Sequence, residues 1–405
     1  MMIVRRFLLW ARTAPPGQRA DAVSALARTF LYSELSQEDH WEAETALTAM
    51  LDDPAPLVRR ALAEALANAP DAPRHIIVAL ANDQPDIAAL VLARSPLLST
   101  EDLVDCAALG DSFAQIAIAL RVQVTPPVCA ALAEIASADA LIELVGNPGA
   151  EIPHSALARM LARHRDVADL REAMLARRDL PLEIRQSIAV AVADTLKLFV
   201  LERGWMNPAR TERVVREARE KTTIALSDGV DSADVRGLVA HLRETGQLTP
   251  ALILRAVLSH GLAFAEAAFS ELADLPLARV AGVIQDRRGA GFPALYRKAG
   301  MPQALQPAFE AALSALREPA RDGAASGPQL SRRMIERVLS ACTRLPADEA
   351  GKLLALLRRY ESEAAREEAR EMTLHLIDDA ALDMALGHVE EGIARAIAYR
   401  SRLAA

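Results

Sequence analysis

A proline returns along the first half of this chain at nearly constant intervals: Pro73, Pro126, Pro153 and Pro181, at steps of 53, 27 and 28 residues. The doubled first step is filled by Thr100, 27 residues after Pro73 and 26 before Pro126. An acidic residue recurs between these marks, at Asp53, Asp83, Asp111, Asp139 and Asp166. A period of this length belongs to stacked-repeat architectures, in which a short unit buries its apolar face only against its neighbours. Proline has φ preset near the helical value and lacks only an amide that the first turn leaves unpaired, so each mark predicts a helix start. Thr100 starts its helix differently, with Ser99 and Asp102 placed as a capping box in reduced form.

Each unit reads as two short helices. The first follows the acid, in the runs Leu57 to Leu66, Ile87 to Leu92, Phe113 to Ile118, Leu141 to Val145 and Val167 to Leu175. An Asp there suits an N-cap or first-turn position, where its oxygen accepts from orphan amides and its charge complements the helix dipole. A metal ladder is not expected, because stacked helices hold such carboxylates about 10 Å apart. The second helix starts at the proline, with apolar residues at helical spacing. Leu62, Leu66, Leu90, Ile116, Leu132 and Leu161 are the expected core positions.

Hydrophobic residues make up 52% of the 405 residues but aromatics only 4%, so Ala and Leu carry the core and favour helix over strand. No stretch alternates with period two over a useful length, which predicts essentially no sheet. The expected fold is all-α: a HEAT-like α-solenoid of short helix pairs followed by a further helical bundle. The proline period returns at Pro250, Pro276 and Pro302. The expected divisions are N-terminal capping helices over 1–52, HEAT-like repeats over 53–194 and bridging long helices over 195–248. A second repeat block over 249–317, a Pro/Gly/Ala-rich linker over 318–328 and C-terminal helices over 329–405 complete them.

The net charge of −8 repels phosphate backbones, so nucleic acid is not expected as the main partner. Cys106, Cys129 and Cys342 lie far apart in apolar stretches, which fits a reducing cytoplasm. The apolar run near the start is broken by Arg12 and ended by Pro15-Pro16, so it reads as a short amphipathic helix and not an export signal. No window approaches 18 uninterrupted apolar residues, so no membrane insertion is expected.

No catalytic or metal-binding constellation stands out. His164-Arg165-Asp166 copies the opening of a kinase catalytic loop, but Arg171 stands where the metal-holding asparagine belongs. The eight histidines form no HExxH or HxH pattern, and no cofactor fingerprint is present. A polar series lies in the turn within each unit: Asn68, Arg94, Arg121, Asn147, then Arg177-Arg178. Such side chains cap terminal carbonyls at the negative end of the helix dipole. Aligned by stacking, Arg94, Arg121, Arg177 and Arg178 would also form a ridge of forks for a carboxylate-rich partner. On Arg210 to Lys221, Glu212–Arg216–Glu220 and Arg213–Glu217–Lys221 form i,i+4 chains expected to make a salt-bridged solvated face.

The stretches Val91 to Leu103, Gln115 to Arg121, Asn147-Pro148-Gly149-Ala150 and Arg178-Asp179-Leu180-Pro181 together resemble the alphaproteobacterial domain-of-unknown-function family numbered 2336. The resemblance spans roughly Arg19 to Leu316, with Leu272 to Pro302 its second portion. It implies a helical HEAT-like fold and a bacterial cytoplasmic setting, and it brings no catalytic residues. The expected function is a non-enzymatic scaffold that binds a protein or peptide, with no cofactor. The alternative is a nucleic-acid-binding HEAT-like protein related to base-excision glycosylases, which would need a basic concave face with aromatic side chains.

Overall fold

The computed structural model describes residues 2–286, 288–317, 327–343, 351, 353–378 and 384. The fold is all-α, and among the described residues the only β-like pairing is an isolated parallel bridge between Val124 and Ala150. The chain divides into two compact units, Met1–Gly204 and Trp205–Ala405. No helix among the described residues is long and apolar enough to cross a membrane.

In the first unit most helices pack on their next-but-one neighbour, which makes two layers, while Arg74–Ala81 packs mainly on the helices next to it in sequence. One layer runs through Pro16–Tyr32, Pro56–Leu66, Pro85–Arg94, Ser112–Ala119, Ala138–Gly146 and Ala168–Ala176. The other runs through Thr100–Leu109, Pro126–Ile135, His154–Arg163 and Leu182–Glu202. One continuous apolar cluster from Ala20 to Ile188 fills the space between them. The last helix, Leu182–Glu202, runs straight across residue 195, where the repeats were expected to end, and the unit closes at Gly204.

Pro126 and Pro250 hold the first turn of their helices as expected. Pro73, Pro153, Pro181 and Pro276 stand one residue earlier, as extended N-caps. The box at Ser99 forms in full: its hydroxyl accepts from the Asp102 amide and the Asp102 carboxylate accepts from the Ser99 amide.

Four of the six expected core residues, Leu62, Leu66, Leu132 and Leu161, are buried, whereas Leu90 and Ile116 are only half-buried. The positions they were expected to fill belong to Val91 and Leu92, and to Ile118. These helices are eight to ten residues long and apolar on most sides, so spacing alone does not separate the inner face from its shoulders.

The recurring acids do two different jobs. Asp111 is the expected N-cap, accepting from the Ala114 amide, and Asp139 sits in a first turn. Asp53 and Asp83 cap no helix but receive the guanidinium forks of Arg19 and Arg59, each with paired contacts of 2.7–2.9 Å. Both arginines also donate backwards to a carbonyl, Arg19 to Ala14 and Arg59 to Asp53, so each clamps two turns at once.

The hydrogen bonds from Arg59 hold the Asp83 carboxyl below its ordinary value of 3.8, against the opposing effect of burial. A depressed carboxyl contributes stability that is present above its unfolded pKa and lost as pH falls through the folded value. Asp83→Asn should therefore cost about 1–3 kcal/mol at neutral pH, because Arg59 is left part-buried with its fork unmet. The gap between wild type and variant should close below about pH 4, as read by urea midpoints across a pH series.

In the second unit the core is aromatic. Phe264, Phe269, Phe292, Tyr296 and Phe309 are fully buried, and Phe269, Phe292 and Phe309 meet edge-on or tilted at 5.6–6.4 Å between ring centres. Tyr296 places its hydroxyl on the Pro302 carbonyl at 2.7 Å. Of the expected linker, residues 318–326 lie outside the described residues, and Gly327 already begins the helix Gly327–Cys342. Of the expected C-terminal helices, residues 344–350, 352, 379–383 and 385–405 also lie outside them.

Candidate functional site

Two features of the molecule exceed what folding requires: one edge of the first unit and a cavity in the second. The arginine series lies on the opposite edge of the first unit. Arg121 donates from both terminal nitrogens to the Leu92 and Ser95 carbonyls, at the C-terminus of the preceding helix in its layer. Asn147 repeats this one unit later on Ala119 and Arg121, at 2.7 and 2.6 Å. Arg177 does so again on Val145, Asn147 and Ala150, while its fork also meets Asp179. In the second layer Arg163 covers Ala133 and Ala136. These are helix C-caps supplied by the next unit, so a guanidinium placed for its own helix end reaches about one repeat backwards. Burial pushes the Arg121 guanidinium below its ordinary value.

Arg94 and Arg178 are exposed. The four candidate binding arginines therefore split into an inward pair, Arg121 and Arg177, and an outward pair, Arg94 and Arg178. The Asn147-Pro148-Gly149 stretch belongs to the same device. The Asn147 side chain also accepts from the Gly149 amide, and a Cβ on Gly149 would stand 1.9 Å from the Val122 carbonyl oxygen.

On the other edge, at the turns where one unit passes to the next, apolar side chains face solvent. Leu109 is 86% exposed, Phe113 66% and Ile135 40%. Leu109 and Ile135 each end a helix of the same layer, and those two helices pack on each other. The edge thus carries large apolar groups in successive units that no internal contact covers.

In the second unit, a cavity of about 400 Å³ opens between the helices Pro208–Leu226, Pro250–Leu258, Gly327–Cys342 and 353–378. At its wall Arg255, only 5% exposed, donates Nε to Glu220 at 2.9 Å and Nη1 to Glu363 at 2.6 Å. Its guanidinium lies 4.1 Å from the ring centre of Tyr360, whose hydroxyl donates to the Ala251 carbonyl. Burial works to lower Arg255, but Glu363, Tyr360 and Glu220 outweigh it and hold the group above its ordinary value. Arg359 Nε lies 3.1 Å from Glu217, close enough for an ion pair but out of line for a hydrogen bond. Burial, reinforced by the neighbouring Glu363, pushes the Glu217 carboxyl up. Burial likewise pushes the Tyr360 phenol up to about 12.

This network corrects the expectation for the Arg210 to Lys221 helix. Glu217, Glu220 and Lys221 pair across helices, with Arg359, Arg255 and Glu367, and not along their own helix. No signal of local spacing could find partners that lie as far as 146 residues away in sequence.

A family model described as an uncharacterised protein conserved in bacteria (DUF2336) matches residues 87–348. The match begins well after Arg19, where the resemblance was expected to start, and runs past Leu316 to cover the whole helix Gly327–Cys342. No curated protein and no solved structure matches the chain.

Proposed function

Since the chain belongs to this bacterial DUF2336 family, we propose that it is a non-enzymatic interaction scaffold, a HEAT-like solenoid that holds a protein or peptide partner in the cytoplasm. The observation that carries this reading is the apolar edge of Leu109, Phe113 and Ile135. Large apolar groups exposed in register are costly to keep in water and mark surfaces that a partner covers. The opposite edge is held together by side chain–carbonyl caps, and capping ties up the donors of Arg121 and Arg177. Arg94 and Arg178 stay exposed on that opposite edge, and the apolar edge is the surface we assign to a partner. The three cysteines are buried and unpaired, which suits a reducing compartment.

The test is a quantitative affinity capture from bacterial cytosol with wild type and with the double variant Leu109→Asp, Phe113→Asp. Wild type should recover a reproducible partner that the variant recovers at least about tenfold less, with an unchanged melting curve, as for loss of an interface hot spot. Equal recovery by both proteins would remove this edge from the reading. Salt-sensitive retention of duplex DNA in a mobility-shift assay, with no protein partner, would move the chain to the nucleic-acid class.

A further inference from the structure

Resting on the reading of the apolar edge as a partner's surface, we propose that its occupant is a basic amphipathic helix of another protein. Short turns reverse the chain between successive helices, so next-but-one helices run the same way and bring equivalent residues side by side. The second residues of Pro85–Arg94, Ser112–Ala119, Ala138–Gly146 and Ala168–Ala176 are Asp86, Phe113, Asp139 and Asp169, all exposed. Phe113 thus stands between two carboxylates in this row, each on a neighbouring helix about 10 Å away. The helix dipole accounts for an aspartate in a first turn. It does not account for an exposed phenylalanine at the same position.

The turns of this edge add the exposed Asp111 and Asp166. Among the described residues, Asp111, Asp139, Asp166 and Asp169 form no ion pair. The arginines nearby are spent internally: Arg59 on Asp83, Arg163 on the Ala133 and Ala136 carbonyls, and Arg165 on Asp194. The charge left for a partner is therefore negative, and it selects apolar groups flanked by Lys or Arg. Spacing selects a helix. Leu109 and Ile135 are the last residues of ten-residue helices packed on each other, so they too stand about 10 Å apart. Residues i and i+7 of a helix share one face and lie about 10.5 Å apart. The strip is also braced. Buried Gln115 donates to the Ala107 carbonyl at 3.3 Å and accepts from the Ser137 amide at 3.0 Å, tying the end of one helix to the turn after the other. A surface fixed beforehand loses little freedom on binding.

The test titrates the full chain with three stapled synthetic helices that share leucines at i, i+3, i+4 and i+7 and carry Lys, Gln or Glu on the polar face. The Lys helix should bind saturably, about tenfold or more tighter than the Gln helix and tighter still than the Glu helix, with an advantage that shrinks as salt is raised. Asp139→Lys with Asp166→Lys should weaken the Lys helix about tenfold or more. Glu101→Lys with Glu151→Lys makes the same change of net charge at exposed positions on the opposite edge, and should leave binding within about twofold. Leu109→Ser with Phe113→Ser, which removes apolar contact and no charge, should also weaken it about tenfold. Should either edge pair lower the melting curve, Asp139→Asn with Asp166→Asn and Leu109→Ala with Phe113→Ala take their places. The proposal is overturned by absence of saturation with the Lys helix, by equal binding of the three helices, by equal loss in the opposite-edge pair, or by binding that survives either folded edge pair. Cytosolic capture separates the two claims: a partner lost with Leu109→Asp and Phe113→Asp while the Lys helix fails these arms removes the basic helix and keeps the edge.

Discussion

Arg255→Ala should destabilise the second unit by about 3–5 kcal/mol, the cost of breaking a buried ion pair from one side. The substitution strips Glu220 and Glu363 of their shared cation while both stay nearly enclosed, at 11% and 8% side-chain exposure. It also removes the cation from the face of Tyr360. The carboxylates left behind would have folded-state pKa values raised above their unfolded values. Raised carboxyls penalise the fold at high pH and cease to do so once protonated, so the deficit should shrink as pH falls from about 8 to about 5. Hydrogen exchange of the helix Pro250–Leu258 reads the loss within this unit, which a single melting temperature for a chain of two units would not. A pH-independent deficit would mean that lost packing of the arginine stem, and not stranded charge, dominates. The triple change Arg255→Met, Glu220→Gln, Glu363→Gln should cost less than Arg255→Ala alone, because it leaves no ion behind.

Ile118→Ala should cost about 2–5 kcal/mol, and Ile116→Ala less than half of that. Ile118 is fully buried in the helix Ser112–Ala119, whereas Ile116 rests on the shoulder of the same core. Exchange of the amides in that helix gives both values on one scale. Equal losses at the two positions would show that the inner face of this helix is wider than its burial pattern indicates.

That pair of isoleucines also marks the limit of what the sequence discloses. Helix starts are legible because they depend on local chemistry: Pro126 at a first turn, Ser99 with Asp102, and Asp111 on the Ala114 amide all act within four residues. The register of Ser-Phe-Ala-Gln-Ile-Ala-Ile-Ala is not legible, since an eight-residue helix that is apolar nearly all round offers no polar face to orient it. The arginine series was recognisable as capping material, but whose carbonyls it caps is a tertiary fact: Arg121 and Arg177 reach residues 26 to 32 positions earlier. Asp53 and Asp83 were read by the commonest role of an aspartate before a helix, and the forks of Arg19 and Arg59 override that role. The cavity was hidden for the same reason, since Glu220, Arg255 and Glu363 meet only after the second unit has folded. Part of its wall, Tyr360 and Glu363, lies beyond the 87–348 stretch that the family shares.

The backward reach of Arg121, Asn147, Arg163 and Arg177 gives the first unit a direction. A helix end in one repeat is finished by a residue that the ribosome adds about thirty positions later. Removing a repeat from the interior rejoins a neighbour able to take over the vacated carbonyls. Cutting the stack after any repeat leaves the newly terminal helices with bare ends, whereas cutting before one strips no later helix of such a cap. Lineages that lengthen or shorten this array should therefore vary by whole periods, and should keep at the C-terminal side a closing helix of the kind that Leu182–Glu202 provides.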